Sequence, residues 1–215
     1  MQNAPAITCM FVDIGGVLLT DGWDRHARKR AAANFMLELA EMEDRHQLTW
    51  NTHQAGKLTL EEYLGRVVFY QERPFTRAQF RRFMFAQSKP YSEMIELVNQ
   101  LKVRHRLKVA VVSNEGRELN EYRIRKFKLG EFVDFFVSSC FVHLLKPDAN
   151  IFHLALDIAQ TPAPQVVYIE NTPMFAAVAE GLGIRSVLHT DYESTRAKLT
   201  AFGLQDADRV IHETR

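Results

Sequence analysis

The sequence predicts an α/β protein with an open parallel Rossmann-like sheet and an inserted helical cap subdomain. Short apolar runs, each followed at once by polar or glycine residues, alternate along the chain with segments of helical periodicity. One long interval without a strand-like run separates the first of these runs from the second. The 215 residues suffice for one domain that carries a modest insertion.

The predicted strands are short and almost wholly apolar, as expected for strands buried on both faces of a sheet. The first covers 7–12 and ends at the segment Asp13-Ile14-Gly15-Gly16. Because helical patterns lie between the runs, we expect the strands to be parallel. The remaining strands are predicted over 107–112, 132–137, 166–169 and 186–188.

Helical spacing of apolar residues predicts the connections between these strands. Apolar side chains recur at 94, 97, 98 and 101, and again at 151, 154, 155 and 158. A further helix is predicted over 174–180, where Gly181 and Gly183 close it. The basic stretch 122–128 is interpreted as the exposed face of a surface helix.

The interval between Asp13 and Ser113 is far longer than a single crossover helix needs. Helices are predicted there over 25–41, 59–70 and 76–85. Thr59 and Glu62 have the spacing of a capping box, which opens the second of these helices.

We therefore predict that 1–20 and 89–215 form the Rossmann-like core and that 21–88 form a mobile helical cap, which sets substrate choice. The cap's aromatic residues are expected to form its own core rather than a ligand cage. They are Phe69, Tyr70, Phe75, Phe80, Phe83 and Phe85.

Charge and cysteine content exclude several classes of function. With 27 Lys and Arg against 26 Asp and Glu, the formal net charge is +1, so no global field attracts nucleic acid or an acidic membrane. Two cysteines are too few for a disulfide framework, and no apolar run is long enough to span a bilayer. We expect a cytoplasmic protein with neither nucleic-acid nor membrane partners, and monomer and homodimer both stay open.

Polar residues follow several predicted strands, and ligands of open parallel sheets bind outside those carboxyl ends. Asp13 can attack phosphorus, while Ser113 and Lys146 can hold charge on a phosphoryl group. Glu170 and Asn171 offer oxygen ligands for Mg²⁺. The chemistry that these groups share is phosphoryl transfer.

Four segments resemble the motifs of the haloacid dehalogenase superfamily, in its phosphatase branch with a helical cap after the first strand. They are FVDIGGVL at 11–18, VVSN at 111–114, LKPD at 145–148 followed by Ile151-Phe152, and VYIEN at 167–171. The resemblance implies a hydrolase, an Mg²⁺-dependent phosphatase that acts on a small phosphorylated metabolite such as a sugar phosphate. An aspartyl-phosphate is its implied intermediate.

The same resemblance implies roles for individual residues. Asp13, Ser113 and Lys146 become catalytic residues, with Asp13 as the nucleophile. Asp13, the Gly15 carbonyl, Glu170 and Asn171 become metal ligands. The implied phosphate-binding residues are Gly16, Ser113, Asn114 and Lys146, and the candidates for cap or substrate contacts are Trp23, Arg25, His26 and His143.

Two positions depart from the usual family pattern. Gly15 stands where most of the phosphatases place a second Asp as general acid and base, and Asn171 replaces the second residue of an acidic pair. These departures favour an alternative, a degenerate member that binds a phosphorylated ligand or a protein partner with little turnover. A third hypothesis is a haloacid dehalogenase, in which the same Asp attacks carbon without Mg²⁺.

Overall fold

The computed structural model describes residues 5–206, and a five-stranded sheet lies at its centre. All of the strand pairs are parallel, in the order β3-β2-β1-β4-β5, which confirms the predicted fold class. The strands are β1 Cys9–Val12, β2 Lys108–Ser113, β3 Phe135–Ser138, β4 Val166–Glu170 and β5 Arg185–Leu188.

The register of the sheet brings the polar ends of three strands to one edge. In β1, Val12 lies opposite Val111 of β2 and Ile169 of β4. The backbone N–H of Asp13 continues this pairing, since it donates to the Ile169 carbonyl oxygen at 3.0 Å. Residues directly after β1, β2 and β4 therefore face the same space.

Within residues 5–206, six α-helices accompany the sheet in the core. They are α5 Ser92–His105, α6 Arg117–Lys126, α7 Ser139–Val142, α8 Asn150–Ala159, α9 Pro173–Gly181 and α10 Tyr192–Ala201. Successive side chains of a strand point to opposite faces, so Met10 packs in the cluster that includes α5 and Phe11 in the cluster that includes α8. No helix within residues 5–206 is long and apolar enough to cross a membrane.

Segment 21–88 contributes helices only, and none of the five strands comes from it. The helices are α1 Arg25–Phe35, α2 Leu39–Gln54, α3 Leu60–Val67 and α4 Arg77–Ala86. The single helix predicted over 25–41 is in fact two. Met36 adopts a left-handed conformation (φ 51°) that ends α1, and the Glu38 side chain then accepts from two N–H groups that begin α2.

The local signal predicted at the start of α3 holds in the structure. The Thr59 hydroxyl accepts from the Glu62 N–H, and the Glu62 carboxylate accepts from the Thr59 N–H, which is the predicted capping box. Phe80 is fully buried at the centre of the aromatic cluster between the helices of segment 21–88. Tyr70 lies outside that cluster. The Cζ atom of Arg45 stacks over the Tyr70 ring instead, 3.5 Å from the ring centroid.

The chain passes between the core and helices α1–α4 through two adjacent segments. The Thr20 N–H donates to the Lys89 carbonyl oxygen, and the Tyr91 N–H donates to the Leu18 carbonyl oxygen, both at 2.9 Å. The end of α2 also contacts the core, because the Gln54 amide donates to the Asn114 carbonyl oxygen at 3.0 Å.

Gly56, just beyond α2, tests this contact. Its φ is 68°, and a β-carbon there would lie 2.3 Å from the Cys140 carbonyl oxygen. Gly203 also has a positive φ, of 86°, but no atom of the described chain lies within 4 Å of the position that its β-carbon would take. We expect Gly203→Ala to lower the free energy of unfolding by about 1–2 kcal/mol from backbone strain alone. Gly56→Ala should lower it further.

Urea unfolding measures both losses, and Gly130→Ala is the control with neither strain nor a close contact. Equal losses in Gly56→Ala and Gly203→Ala would show that the approach of Cys140 adds nothing.

Candidate active site

The Lys146 ammonium lies at the centre of the polar edge of the sheet. Its Nζ is 3.1 Å from Asp13 Oδ1 and 2.6 Å from Glu170 Oε2, and it donates to the Tyr168 hydroxyl at 2.9 Å. The Phe175 ring lies 4.9 Å from the same nitrogen. Two carboxylates and an aromatic face thus compensate one buried cation.

Asn114 holds the loop that carries Lys146. Its Oδ1 accepts from the Lys146 backbone N–H and its Nδ2 donates to the Lys146 carbonyl oxygen, each at 2.9 Å. Both ends of this amide are thus bonded to the Lys146 backbone and not left free for the predicted phosphate-binding role. The structure assigns that side chain to positioning Lys146.

Asp13 is buried beside this cation, with 7% of its surface exposed. Burial raises the pKa of Asp13 to about 7; the Lys146 ammonium opposes this shift and the Glu170 carboxylate adds to it. Lys146 lies within ion-pair distance of Oδ1, but no hydrogen bond within the described chain is aligned on that buried oxygen. Asp13 Oδ1 is therefore paired with the Lys146 charge but has no aligned hydrogen-bond donor within residues 5–206.

Glu170 has no exposed surface, and both of its oxygens are bonded. Oε2 accepts from Lys146 and from the Tyr168 hydroxyl, and Oε1 accepts from the Thr172 N–H at 2.9 Å. These contacts suit a carboxylate that orients Lys146. They suit the predicted role of Glu170 as a metal ligand less well. Sequence reasoning gave Tyr168 no role, although the two-residue period of a strand places it on the same face as Glu170.

The loop after Asp13 is tight because two glycines occupy it. Gly16 has a φ of 74°, and a β-carbon there would lie 2.0 Å from Asn171 Nδ2, so only glycine allows this packing. The Gly16 N–H donates to the Leu19 carbonyl oxygen at 2.7 Å, and the Ile14 carbonyl oxygen accepts from Leu19 at 2.9 Å. The loop thereby packs against Asn171 at Gly16, and Asp13, Gly15 and Asn171 all line one cavity.

A cavity of 370 Å³ opens above these groups, between the sheet edge and helices α1 and α2. Among the predicted site residues, the structure brings eight to this cavity: Asp13, Gly15, Trp23, Arg25, Ser113, Asn114, Lys146 and Asn171. Residues without an assigned role also line it, and they include Asp21, Trp50, Gln54, Glu115, Arg123 and Phe175.

Four predicted residues lie elsewhere. Glu170 is beneath the cavity floor, and Gly16 lines a neighbouring cavity of 390 Å³. His26 lines a separate cavity of 420 Å³, and the His143 ring contacts the Ala55 carbonyl oxygen at 2.7 Å. Neither histidine belongs to the group around Asp13, which corrects the expectation that they contact substrate.

Arg123 overturns the interpretation of 122–128 as an exposed helix face. Its side chain is 1% exposed and pairs with Glu115 at 2.5 Å. It also donates to the Ser88 hydroxyl at 3.0 Å. The position of Arg123 four residues after the buried Leu119 was the available signal, since both lie on the inward face of α6.

Trp23 forms part of the cavity wall and is rigidly held there. Its Nε1 donates to the Tyr63 hydroxyl at 2.9 Å, and its ring meets Phe80 edge-to-face at 5.7 Å between centroids. Burial raises the pKa of Tyr63, which keeps that hydroxyl protonated. Trp23 thus combines the two roles considered for it, packing in the cap and facing the cavity.

Asp21 lies where the chain enters the cap. It lines the main cavity and both neighbouring ones. Partial desolvation by the cavity walls raises the pKa of its carboxyl, and the nearby Asp24 carboxylate adds to that effect.

A family model for haloacid dehalogenase-like hydrolases matches residues 7–195. The chain therefore belongs to the haloacid dehalogenase-like hydrolases. No curated protein sequence matches it closely enough to count as a relative.

Several solved structures share the fold. The HAD family enzyme bt-2542 from Bacteroides thetaiotaomicron is 20% identical, with a TM-score of 0.73 over 85% of this chain and 93% of that one. The same enzyme is known in complex with magnesium and inorganic phosphate. A predicted HAD-like family hydrolase from Porphyromonas gingivalis is 18% identical, with a TM-score of 0.77 over 94% and 100%.

An L-2-haloacid dehalogenase from Xanthobacter autotrophicus, with chloropropionic acid covalently bound, is 13% identical. Its TM-score is 0.61 over 92% of this chain and 84% of that one. At these identities the likeness shows the fold alone.

The raised pKa of Asp13 predicts a pH-dependent cost to stability. In the metal-free protein, the folded state holds the Asp13 proton up to about pH 7, whereas the unfolded state releases it near the ordinary aspartate pKa of 3.8. Wild type should therefore lose stability relative to Asp13→Asn as pH rises from 4 to 8, by more than about 1 kcal/mol.

Urea unfolding in a chelator, across that pH range, measures the difference. Asp44→Asn, on the exposed face of α2, is the matched control. If the difference in unfolding free energy between Asp13→Asn and wild type stays constant with pH, the pKa of Asp13 is not raised in the folded protein.

Proposed function

We propose that this protein hydrolyses a phosphate monoester of a small metabolite, sugar phosphates among them, through an aspartyl-phosphate. The observation that carries the proposal is the Asp13 carboxylate, which lies on the floor of the cavity with the Lys146 ammonium 3.1 Å away. A desolvated carboxylate beside a fixed cation suits nucleophilic attack on a phosphoryl group.

The chain's own groups account for the attack. A carboxylate oxygen of Asp13 forms a bond to phosphorus while the ester oxygen departs. Lys146 and the buried Ser113 hydroxyl line the same cavity and donate to phosphoryl oxygens as charge develops on them. Water then attacks phosphorus and restores the Asp13 carboxylate.

The donor set fits Mg²⁺. The carboxylates of Asp13 and Glu170 together carry more negative charge than the Lys146 ammonium can balance. Asp13 also has a buried oxygen without an aligned hydrogen-bond donor in the described chain. We propose that Asp13, the Gly15 carbonyl and Asn171 hold the ion, while Glu170 acts through Lys146. Bound Mg²⁺ would supply positive charge beside the phosphoryl oxygens. The complex of bt-2542 with magnesium and phosphate supports this choice.

Helices α1 and α2 form the roof of the cavity, and we propose that they close over the substrate and exclude water. Arg25 of α1 and Trp50 and Gln54 of α2 face the cavity, so they are placed to choose the organic part of the substrate. A volume of 370 Å³ suits a small metabolite. Both cysteines are free and buried, which fits a cytoplasmic setting for the reaction.

Carbon–halogen hydrolysis is the second candidate, because the fold is shared with a dehalogenase that has been solved with chloropropionic acid covalently bound. The same Asp13 would attack carbon. Halide release in the presence of a chelator, with no phosphate release in Mg²⁺, would favour this candidate over phosphatase activity.

The first test is Asp13→Asn. We expect phosphate release from a panel of phosphorylated metabolites in Mg²⁺, and none from this variant, because the amide is not a nucleophile for phosphorus. Circular dichroism and urea unfolding should show an intact fold. A folded variant with wild-type turnover would exclude Asp13 as the nucleophile, and wild type inactive on every ester would favour the non-catalytic alternative.

The second test is Asn171→Asp. A charged ligand in place of a neutral one should bind a hard cation more tightly. We expect the Mg²⁺ concentration for half-maximal activity to fall about tenfold or more, corresponding to 1.4 kcal/mol. Titration of activity with Mg²⁺ measures it, and an unchanged midpoint would place the metal away from Asn171.

A further inference from the structure

The proposed reaction leaves one chemical requirement unmet by the residues discussed so far. When Asp13 displaces an ester oxygen from phosphorus, that oxygen departs as an alkoxide unless a nearby acid protonates it. Gly15 has no side chain that could do so, and the structure places His143 outside the cavity.

The space beside Gly15 is occupied by another carboxylate. A β-carbon at position 15 would lie 3.2 Å from Oδ1 of Asp21 and 3.6 Å from its Cα. A β-carbon at position 16 would lie 3.1 Å from the same oxygen. The Asp21 carboxylate therefore approaches the loop after the nucleophile from the cap side, at the point where a side chain of residue 15 would begin.

The other carboxylates that line the cavity are already committed. Asp13 is the nucleophile. Asp24 caps helix α1, where its Oδ1 accepts from the Ala27 N–H at 2.6 Å, and Glu115 is paired with Arg123 at 2.5 Å. Within residues 5–206, no donor forms a hydrogen bond to the Asp21 carboxylate. Asp21 is the carboxyl group left free to exchange a proton with a ligand.

The backbone of Asp21 is held firmly even though its side chain is free. Nη2 of the buried Arg123 donates to the carbonyl oxygens of Thr20 at 3.2 Å and Asp21 at 2.7 Å. Gly22 follows with a φ of 76°, and a β-carbon there would lie 1.9 Å from Arg123 Nη2. These contacts fix where the Asp21 side chain begins, which is what a positioned acid requires.

We propose that Asp21 is the general acid and base of the reaction and replaces the carboxylate that Gly15 lacks. This inference rests on the proposed phosphatase function. In the first step the bond from Asp13 to phosphorus forms, the bond to the ester oxygen breaks, and that oxygen takes the proton of Asp21. In the second step water attacks phosphorus and gives a proton to Asp21, while Asp13 departs as the carboxylate.

The test is single-turnover phosphoenzyme formation in Mg²⁺ with an alkyl and an aryl phosphate. Asp21→Asn keeps the shape of the side chain but replaces the acidic carboxyl group with an amide that cannot act as a general acid or base. We expect the rate to fall about 10²–10⁴-fold for the alkyl ester and little for the aryl ester, whose leaving oxygen needs no proton. Asp44→Asn, on the exposed face of α2 and outside the cavity lining, should match wild type for both esters.

A relocation variant supplies the second arm. Asp21→Ala removes the carboxylate that crowds position 15, and Gly15→Asp then provides one from the other side. The double variant should recover the alkyl ester rate relative to Asp21→Ala alone. Urea unfolding confirms that each variant is folded.

Each outcome decides one point. Equal losses for the two esters, or a loss that saturating Mg²⁺ reverses, would overturn the assignment of Asp21 and indicate substrate or metal positioning. Wild type that forms no phosphoenzyme with either ester would overturn the phosphatase function itself, whereas an active wild type with an unaffected Asp21→Asn would overturn the Asp21 proposal alone.

Discussion

The ion pairs of one buried ammonium organise the polar edge of the sheet. Lys146 is 3% exposed and pairs with both Asp13 and Glu170. Asp13 directly follows β1, and Glu170 is the last residue of the neighbouring strand β4. Loss of the ammonium would leave two buried carboxylates facing each other, which is far more costly than the loss of an exposed pair. The hydroxyl of Tyr168 and the amide of Asn114 both serve to hold this cation in place.

A second buried pair links the cap to the same edge. Glu115, two residues after Ser113, binds Arg123, and Arg123 also holds the backbone of Thr20 and Asp21. The strand end that carries Ser113 and the segment that enters the cap therefore share one guanidinium. Since an Arg fork can meet several acceptors at once in a fixed plane, this arrangement sets the cavity wall relative to its floor.

The loop at Gly15 and Gly16 packs against two other side chains, Asn171 and Asp21. The Gly15-Gly16 loop lets Asn171 pack against the backbone, and it leaves space that Asp21 enters from the cap side. In sequence, Gly15 stands where a carboxylate is missing; in the structure, the absence of a side chain there leaves space for Asp21. The charge balance around Asp13 likewise depends on Lys146 and Glu170 together, and not on one position of a motif.

The sequence by itself determined the strands, their parallel order of connection, the helical insertion and the polar residues at the strand ends. These follow from local periodicity and capping, as the Thr59–Glu62 box shows. It could also identify Asp13, Ser113 and Lys146 as neighbours, because parallel strands end at one edge. The break at Met36 escaped it, since a left-handed residue other than glycine has no clear local signal.

Only the tertiary structure decided which charged residues are buried and what they touch. Arg123 sits in a basic stretch typical of solvent, yet Glu115 and two backbone carbonyls pay for its burial. Asp21 is separated from Gly15 along the chain, yet its carboxylate lies beside Gly15 in space. His143 is close to Lys146 in sequence, yet its ring contacts the Ala55 carbonyl oxygen. Side-chain direction and long-range pairing depend on packing between distant segments, and no local pattern of residues encodes that packing.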